Sequence, residues 1–200
     1  MMPMHKMAGQ PVRSWVAWAA LTTLAVFSGS AAAETAPKSG DTFTHSEVVA
    51  QAEGLFGKGA KGMAEVIEKA FKEYGQPNAI IKGEEGAGAI GVGVRYGKGV
   101  LVTKGGGTRQ VWWQGPSIGF DIGGNAAKCF TLVYNLPSTE RLFQRFPGVE
   151  GSLYFVGGFS LNYNRSDNIT LAPVRLGVGW RQGANIGYLH FTPKFSPLPI

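Results

Sequence analysis

The sequence predicts a mainly β protein: a small soluble antiparallel β-barrel with an N-terminal amphipathic helix and one short helical insertion. Three observations predict it. Hydrophobic residues recur with a helical period up to Tyr74, and after Pro77 they alternate with polar ones. Turn residues divide the alternating region into many short segments. Of 30 glycines, 22 fall within residues 76–200, where glycine supplies the bulges and coiling that a small barrel needs to close.

The N-terminal 33 residues read as a cleavable secretory signal. His5, Lys6 and Arg13 form a basic start, an apolar run follows from Trp15 to Phe27, and Ala31-Ala32-Ala33 makes an A-x-A site before Glu34. The run is 13 residues, short of the roughly 20 that span a bilayer. Residues 34–42 are expected to form a linker and residues 43–200 a single domain, with a helical segment over 43–75 and a β-barrel over 76–200. No transmembrane segment is expected in the mature form, and the expected location is the periplasm.

Thr44 and Glu47 have capping-box spacing, and Val48, Val49, Ala52, Leu55 and Phe56 form the apolar stripe of a short helix that breaks near Gly57. Ala60, Met63, Ala64, Ile67, Ala70, Phe71 and Tyr74 share one face of a second helix. Glu65–Lys69 and Glu68–Lys72 are spaced for i,i+4 pairs on the other face, and Gly75 suits the C-terminal stop. Its mixed-sign polar face favours packing against a sheet over lying on a membrane.

Strands are expected at Ala79–Lys82, Ala87–Arg95, Val100–Lys104, Thr108–Trp113, Ser117–Gly123, Lys128–Tyr134, Ser152–Ser160, Ile169–Arg175, Leu176–Arg181 and Gly187–Thr192. Turns are expected at Tyr96–Gly99, Gly105–Gly107, Gln114–Pro116 and Ser166–Asn168. Ser138–Phe146 reads as the helical insertion, with Ser138 as N-cap and Leu142 and Phe146 inward. An outer-membrane barrel is disfavoured, because most of these strands are shorter than the 9–11 residues required and the C-terminus is not an amphipathic strand.

Chemistry is sparsely marked. The single cysteine, Cys129, excludes an internal disulfide and lies in an apolar strand, where a thiol is inert. No Ser or Cys stands in a nucleophile elbow, and no cofactor or metal motif is present. Gly86-Ala-Gly-Ala-Ile-Gly91 has G-x-G-x-x-G spacing, but an alternating strand follows instead of the helix that a dinucleotide site needs. Glu84 and Glu85 are neighbours that point to opposite faces of a strand, so they form no acid/base pair. Asp121 reads as an outward or barrel-end residue. A non-catalytic protein is therefore expected, the alternative being an enzyme acting on a cell-wall or envelope polymer.

Without the signal, 17 basic and 13 acidic residues leave +4, and residues 76–200 carry 12 basic against 6 acidic. A basic domain in this compartment suits an anionic lipid, an envelope glycan or an envelope protein partner, and no nucleic acid is expected. Lys104 and Arg109 flank the triple-glycine loop beside Trp112 and Trp113, of which one should face inward and the other outward. With Arg175 and Arg181 around Gly177-Val178-Gly179, these six residues are the candidate rim of a barrel mouth for an anionic amphiphile.

Long motifs carry a resemblance. Phe56-Gly-Lys-Gly-Ala-Lys-Gly-Met-Ala-Glu-Val-Ile-Glu-Lys-Ala-Phe, Gly83-Glu-Glu-Gly and Val94-Arg-Tyr-Gly-Lys-Gly resemble the EipA family of alphaproteobacterial envelope proteins. So do Trp113-Gln-Gly-Pro-Ser-Ile-Gly-Phe-Asp-Ile-Gly-Gly-Asn, Val133-Tyr-Asn-Leu-Pro, Arg145-Phe-Pro-Gly-Val-Glu-Gly and Gly183-Ala-Asn-Ile-Gly-Tyr-Leu. The resemblance covers nearly the whole mature chain. It implies a periplasmic β-barrel needed for envelope homeostasis, with no established enzymatic activity. The order Val100-Leu-Val-Thr-Lys, Trp113-Gln-Gly-Pro-Ser, then Ile118 to Gly124 and the strand Cys129 to Leu136, is similar to the SYLF lipid-binding domain. This second likeness suggests lipid binding but transfers no ligand residue.

Overall fold

The computed structural model describes residues 41–121, 126–177 and 187–197, with backbone alone for 87–92 and 117–121. The expected signal peptide, linker residues 34–40, Arg181 and most of the strand expected at Leu176–Arg181 lie outside them.

Two helices precede the sheet. α1 (His45–Phe56) starts with the expected capping box, in which the Glu47 carboxylate accepts the Thr44 N–H at 2.8 Å. Hydrogen bonds from Lys104 and then Thr44 lower the Glu47 pKa to about 2. α1 stops at Gly57, whose positive φ of 101° favours glycine. α2 (Met63–Tyr74) ends at Gly75 and buries Met63, Val66, Ile67 and Ala70, while Ala64 is exposed. Lys72 pairs with Glu68 at 3.2 Å as expected. Lys69 instead reaches forward to Glu73 at 2.6 Å, and Glu65 accepts the Tyr154 hydroxyl at 2.7 Å.

The strands are β1 (Ala79–Thr103), β2 (Thr108–Asp121), β3 (Ala127–Tyr134), β4 (Arg145–Pro147), β5 (Tyr154–Val156), β6 (Phe159–Leu161), β7 (Asn164–Ser166), β8 (Ile169–Leu176) and β9 (Tyr188–Thr192). All pair antiparallel in the order β4-β9-β2-β1-β3-β8-β6-β5, with β7 also on β8. The sheet curls until its β4 end meets β7: Gly148 and Asn164 form a bridge, and Val149 N–H donates to Tyr163 O at 2.9 Å.

β1 holds 25 residues, and an unbent strand of that length would span about 80 Å. Its ends nevertheless meet, because Lys104 N–H donates to Asn78 O at 3.0 Å. The strand therefore doubles back within its glycine-rich middle. The first half pairs with β3 and the second with β2. Where the halves pass, a Cβ on Gly83 would lie 2.8 Å from the Gly99 Cα, so only glycine allows the approach.

Two expected turns are strand instead. Tyr96–Gly99 pairs with Val111–Gln114 and Gln114–Pro116 with Val94–Tyr96, so the continuous β1–β2 ladder carries both segments through as strand. Their glycines serve close packing rather than reversal. The turns at Gly105–Gly107 and at Asp167-Asn168 form as expected. The strand expected over Ser152–Ser160 is broken into β5 and β6 by Gly157 and Gly158, which have φ of 56° and 82°. The insertion is a 3-10 turn, Thr139–Leu142, in which Ser138 makes no side-chain cap bond. Phe146 belongs to β4, and both Leu142 and Phe146 are buried.

Alternation sorts the strands onto two cores. Ile80, Phe130, Leu132, Ala172 and Val174 face out and pack under α1 and α2, while Ala79, Ile81, Leu101, Val111, Val133, Leu171 and Phe191 fill the interior. β1 and β2 exceed the strand lengths expected, so shortness no longer argues against a membrane barrel. Helices covering the outer face of the sheet argue against it instead. Among the described residues no helix is long and apolar enough to cross a membrane.

A Cβ on Gly97 would lie 2.0 Å from Cε2 of the Trp113 indole. Gly97→Ala should therefore lower unfolding stability by about 1–3 kcal/mol in urea titration. Gly86→Ala, with nothing within 4 Å, should stay within about 0.5 kcal/mol of the parent.

Candidate functional site

The interior is apolar at the end closed by Leu136, Leu142 and Phe146 and becomes polar at the level of Glu85. Odd-numbered positions of β1 face inward: Ile81 and Gly83 precede Glu85, and Arg95 and Gly97 return on the second half. Glu85 is 5% exposed and Arg175, from β8, 2%. Glu85 Oε1 accepts Arg175 Nε and lies 3.5 Å from Arg95 Nε, while Oε2 accepts Trp113 Nε1 at 3.0 Å. Arg175 Nη1 donates to Asn162 Oδ1 at 2.7 Å, Asn162 Nδ2 to Asn164 Oδ1 at 3.1 Å, and Asn164 Nδ2 to Phe146 O at 3.1 Å. Arg175 Nη2 is buried without a hydrogen-bond partner among the described residues.

Burial alone would raise the Glu85 pKa, but the guanidiniums of Arg175 and Arg95 outweigh it and hold the carboxyl below its ordinary value. The site thus stores an ionised carboxylate, which is a poor proton donor at neutral pH. Nearby Cys129 is driven the other way: burial, then the Glu85 charge, push its thiol up to about 12. It remains an unreactive thiol, as its strand context predicts. Among the described residues no cluster of three or more His, Cys, Asp or Glu side chains could hold a metal ion.

The six candidate rim residues do not form one described rim. Lys104 pairs with Glu47 at 2.6 Å and Arg109 with Glu140 at 2.9 Å. Trp113 is buried and Trp112 half-buried, the expected inward and outward pair. Arg175 lies inside, joined to Trp113 through Glu85. Arg181 and the Asp121 side chain fall outside the description. Glu85 and Glu84 do lie on opposite faces of β1 as expected, and alternation from Ala79 and Ile81 already places Glu85 inward.

Because the folded Glu85 carboxyl has a lowered pKa, the unfolded chain binds its proton more readily. The stability it contributes is present above about pH 4.5 and is lost as pH falls through the folded value. Glu85→Gln should cost about 3–5 kcal/mol at pH 7, since it strips the buried guanidiniums of their anion. It should also flatten the loss of stability between pH 5 and pH 3 relative to the parent in urea titrations. An unchanged pH slope would show that Glu85 is not the coupled group.

Comparison with known proteins agrees with this architecture. The crystal structure of a β-barrel-like, uncharacterized protein from Brucella abortus is 44% identical, covers 80% of this chain and 99% of its own, and superposes with a TM-score of 0.74. No curated protein matches the chain. The family model for envelope integrity protein A, EipA, matches residues 41–200. With that match over four-fifths of its length, the chain belongs to the EipA family of envelope integrity proteins.

Proposed function

We propose that this family member supports envelope integrity from the periplasm without catalysis, by holding an anionic, lipid-like ligand whose head group meets Arg175. Arg175 Nη2, which has no hydrogen-bond partner among the described residues, carries the reading. An unsatisfied buried donor costs about 1–3 kcal/mol, and more on a charged group. An oxyanion would satisfy it with a charge-assisted bond. The protonation states support binding over catalysis: Glu85 is held ionised by Arg175 and Arg95, and Cys129 is held protonated by burial. An ionised Glu85 donates no proton, and a protonated Cys129 is a poor nucleophile at neutral pH. The basic start, apolar run and A-x-A site of residues 1–33 support export.

Native mass spectrometry of protein released from the periplasm tests both parts. The chain should begin at Glu34 and carry a small anionic amphiphile. A chain that begins at Met1 would overturn export with cleavage, and a ligand-free mass would overturn retention. Turnover of cell-wall fragments that is lost in a folded Asp121→Asn variant would establish the enzyme instead.

A further inference from the structure

We propose that the outer sheet face around Lys82, Lys98 and Lys128 docks on an anionic phospholipid surface, with a phosphate head group seated among the three ammoniums. The proposal is independent of an interior ligand. Alternation puts these lysines on the face opposite Glu85, Gly97 and Cys129. There they line an open groove of about 370 Å³ with Leu55 and Glu84, and the bare backbones of Gly83 and Gly99 lie between them. That volume falls within the range of small-molecule clefts, about 300–1,000 Å³.

The charges are unbalanced and two of them are anchored. Glu84 pairs with Lys98 at 3.1 Å. Lys82 Nζ donates to Gln51 Oε1 at 2.7 Å and Lys128 Nζ to Leu55 O at 2.7 Å. Both acceptors are neutral, so these bonds position the two ammoniums, and Glu84, the cross-strand neighbour of Lys128 and partner of Lys98, is the one carboxylate among the described groove-lining residues against three lysines. Ammonium groups recognise phosphate as point charges. A head group entering the groove would need little side-chain ordering to meet them.

The rim of the groove suits a membrane interface. Trp112 is the cross-strand partner of Lys98, and Val100 that of groove-lining Gln110. Val100 is 38% exposed and Trp112 half-buried on this same outer face. An indole and an aliphatic side chain beside lysines match the polar-apolar boundary of a bilayer.

Vesicle flotation at low and high salt tests the site, using phosphatidylglycerol and phosphatidylcholine vesicles. The full mature protein should float with the former, release at high salt and ignore the latter. Each lysine near an anionic surface contributes about fivefold at low ionic strength, so Lys82→Gln/Lys128→Gln should weaken binding on the order of twentyfold. Lys104→Gln/Arg109→Gln removes the same charge from residues already paired with Glu47 and Glu140 and should change binding little. If the first double variant melts below the parent, Lys82→Gln alone, whose ammonium is held by the neutral Gln51 amide, carries the test with about a fivefold loss. Failure of the parent to bind would overturn the site. So would equal binding to the two vesicle types, or equal losses in the two double variants.

Discussion

The carboxylate of Glu85 governs the arrangement of the barrel interior. An ion taken from water into such a place is unfavourable unless charge and hydrogen bonds both meet it. Here Arg175, Arg95 and Trp113 do so from three different strand segments. The bonds then pass through Asn162 and Asn164 to the Phe146 carbonyl. One connected network therefore ties β2, both halves of β1, β8 and β7 to β4, across the seam where the sheet ends meet. A one-residue slip of β1 would turn Glu85 outward and bring Lys82 and Glu84 in, breaking every one of these bonds.

Trp113 must also fit, and the glycines follow from that. Its indole lies against Gly97 and reaches Gly83, at distances that leave no room for a Cβ on either. Gly83 and Gly99 further let the two halves of β1 pass in contact. The same three glycines thus let the two halves of the strand lie in contact, seat the indole and bring its Nε1 within reach of Glu85. Glycine weakens a strand locally. Here the loss is offset by the aromatic surface laid over it and by the hydrogen bond at its end.

The sequence was legible where local rules decide. Thr44 with Glu47 caps α1, Gly57 and Gly75 stop the helices, and Cys129 lies buried in an apolar strand, all as spacing and alternation indicate. It was less legible where long-range pairing decides. Tyr96–Gly99 and Gln114–Pro116 carry ordinary turn residues, and only the continuous pairing of β1 with β2 makes them strand. Lys69 could reach Glu65 or Glu73 by the same i,i+4 rule, and Tyr154 takes Glu65 from a distant strand. Arg175 looked like a loop-flanking cation of a rim. Its placement two and six residues after the inward Pro173 and Ile169 already set it inside, but its partners Glu85 and Asn162 are separated from it by 90 and 13 residues.

The alternation that buries Glu85 also divides the protein's charge between two environments. Inside, the Glu85 carboxylate is locked between guanidiniums, and protonating it removes their anion. Outside, Glu84 stands on the opposite face of the same strand, exposed to solvent and paired with Lys98. Such a surface pair contributes little to stability, so the outward lysines can vary without disturbing the fold. The inward charges cannot, because each is desolvated and shares its partners with the rest of the network. Adjacent residues of one strand, Glu84 and Glu85, thereby fall under opposite constraints. Substitutions on the outer face report on what the surface meets, and those on the inner face report first on whether the barrel closes.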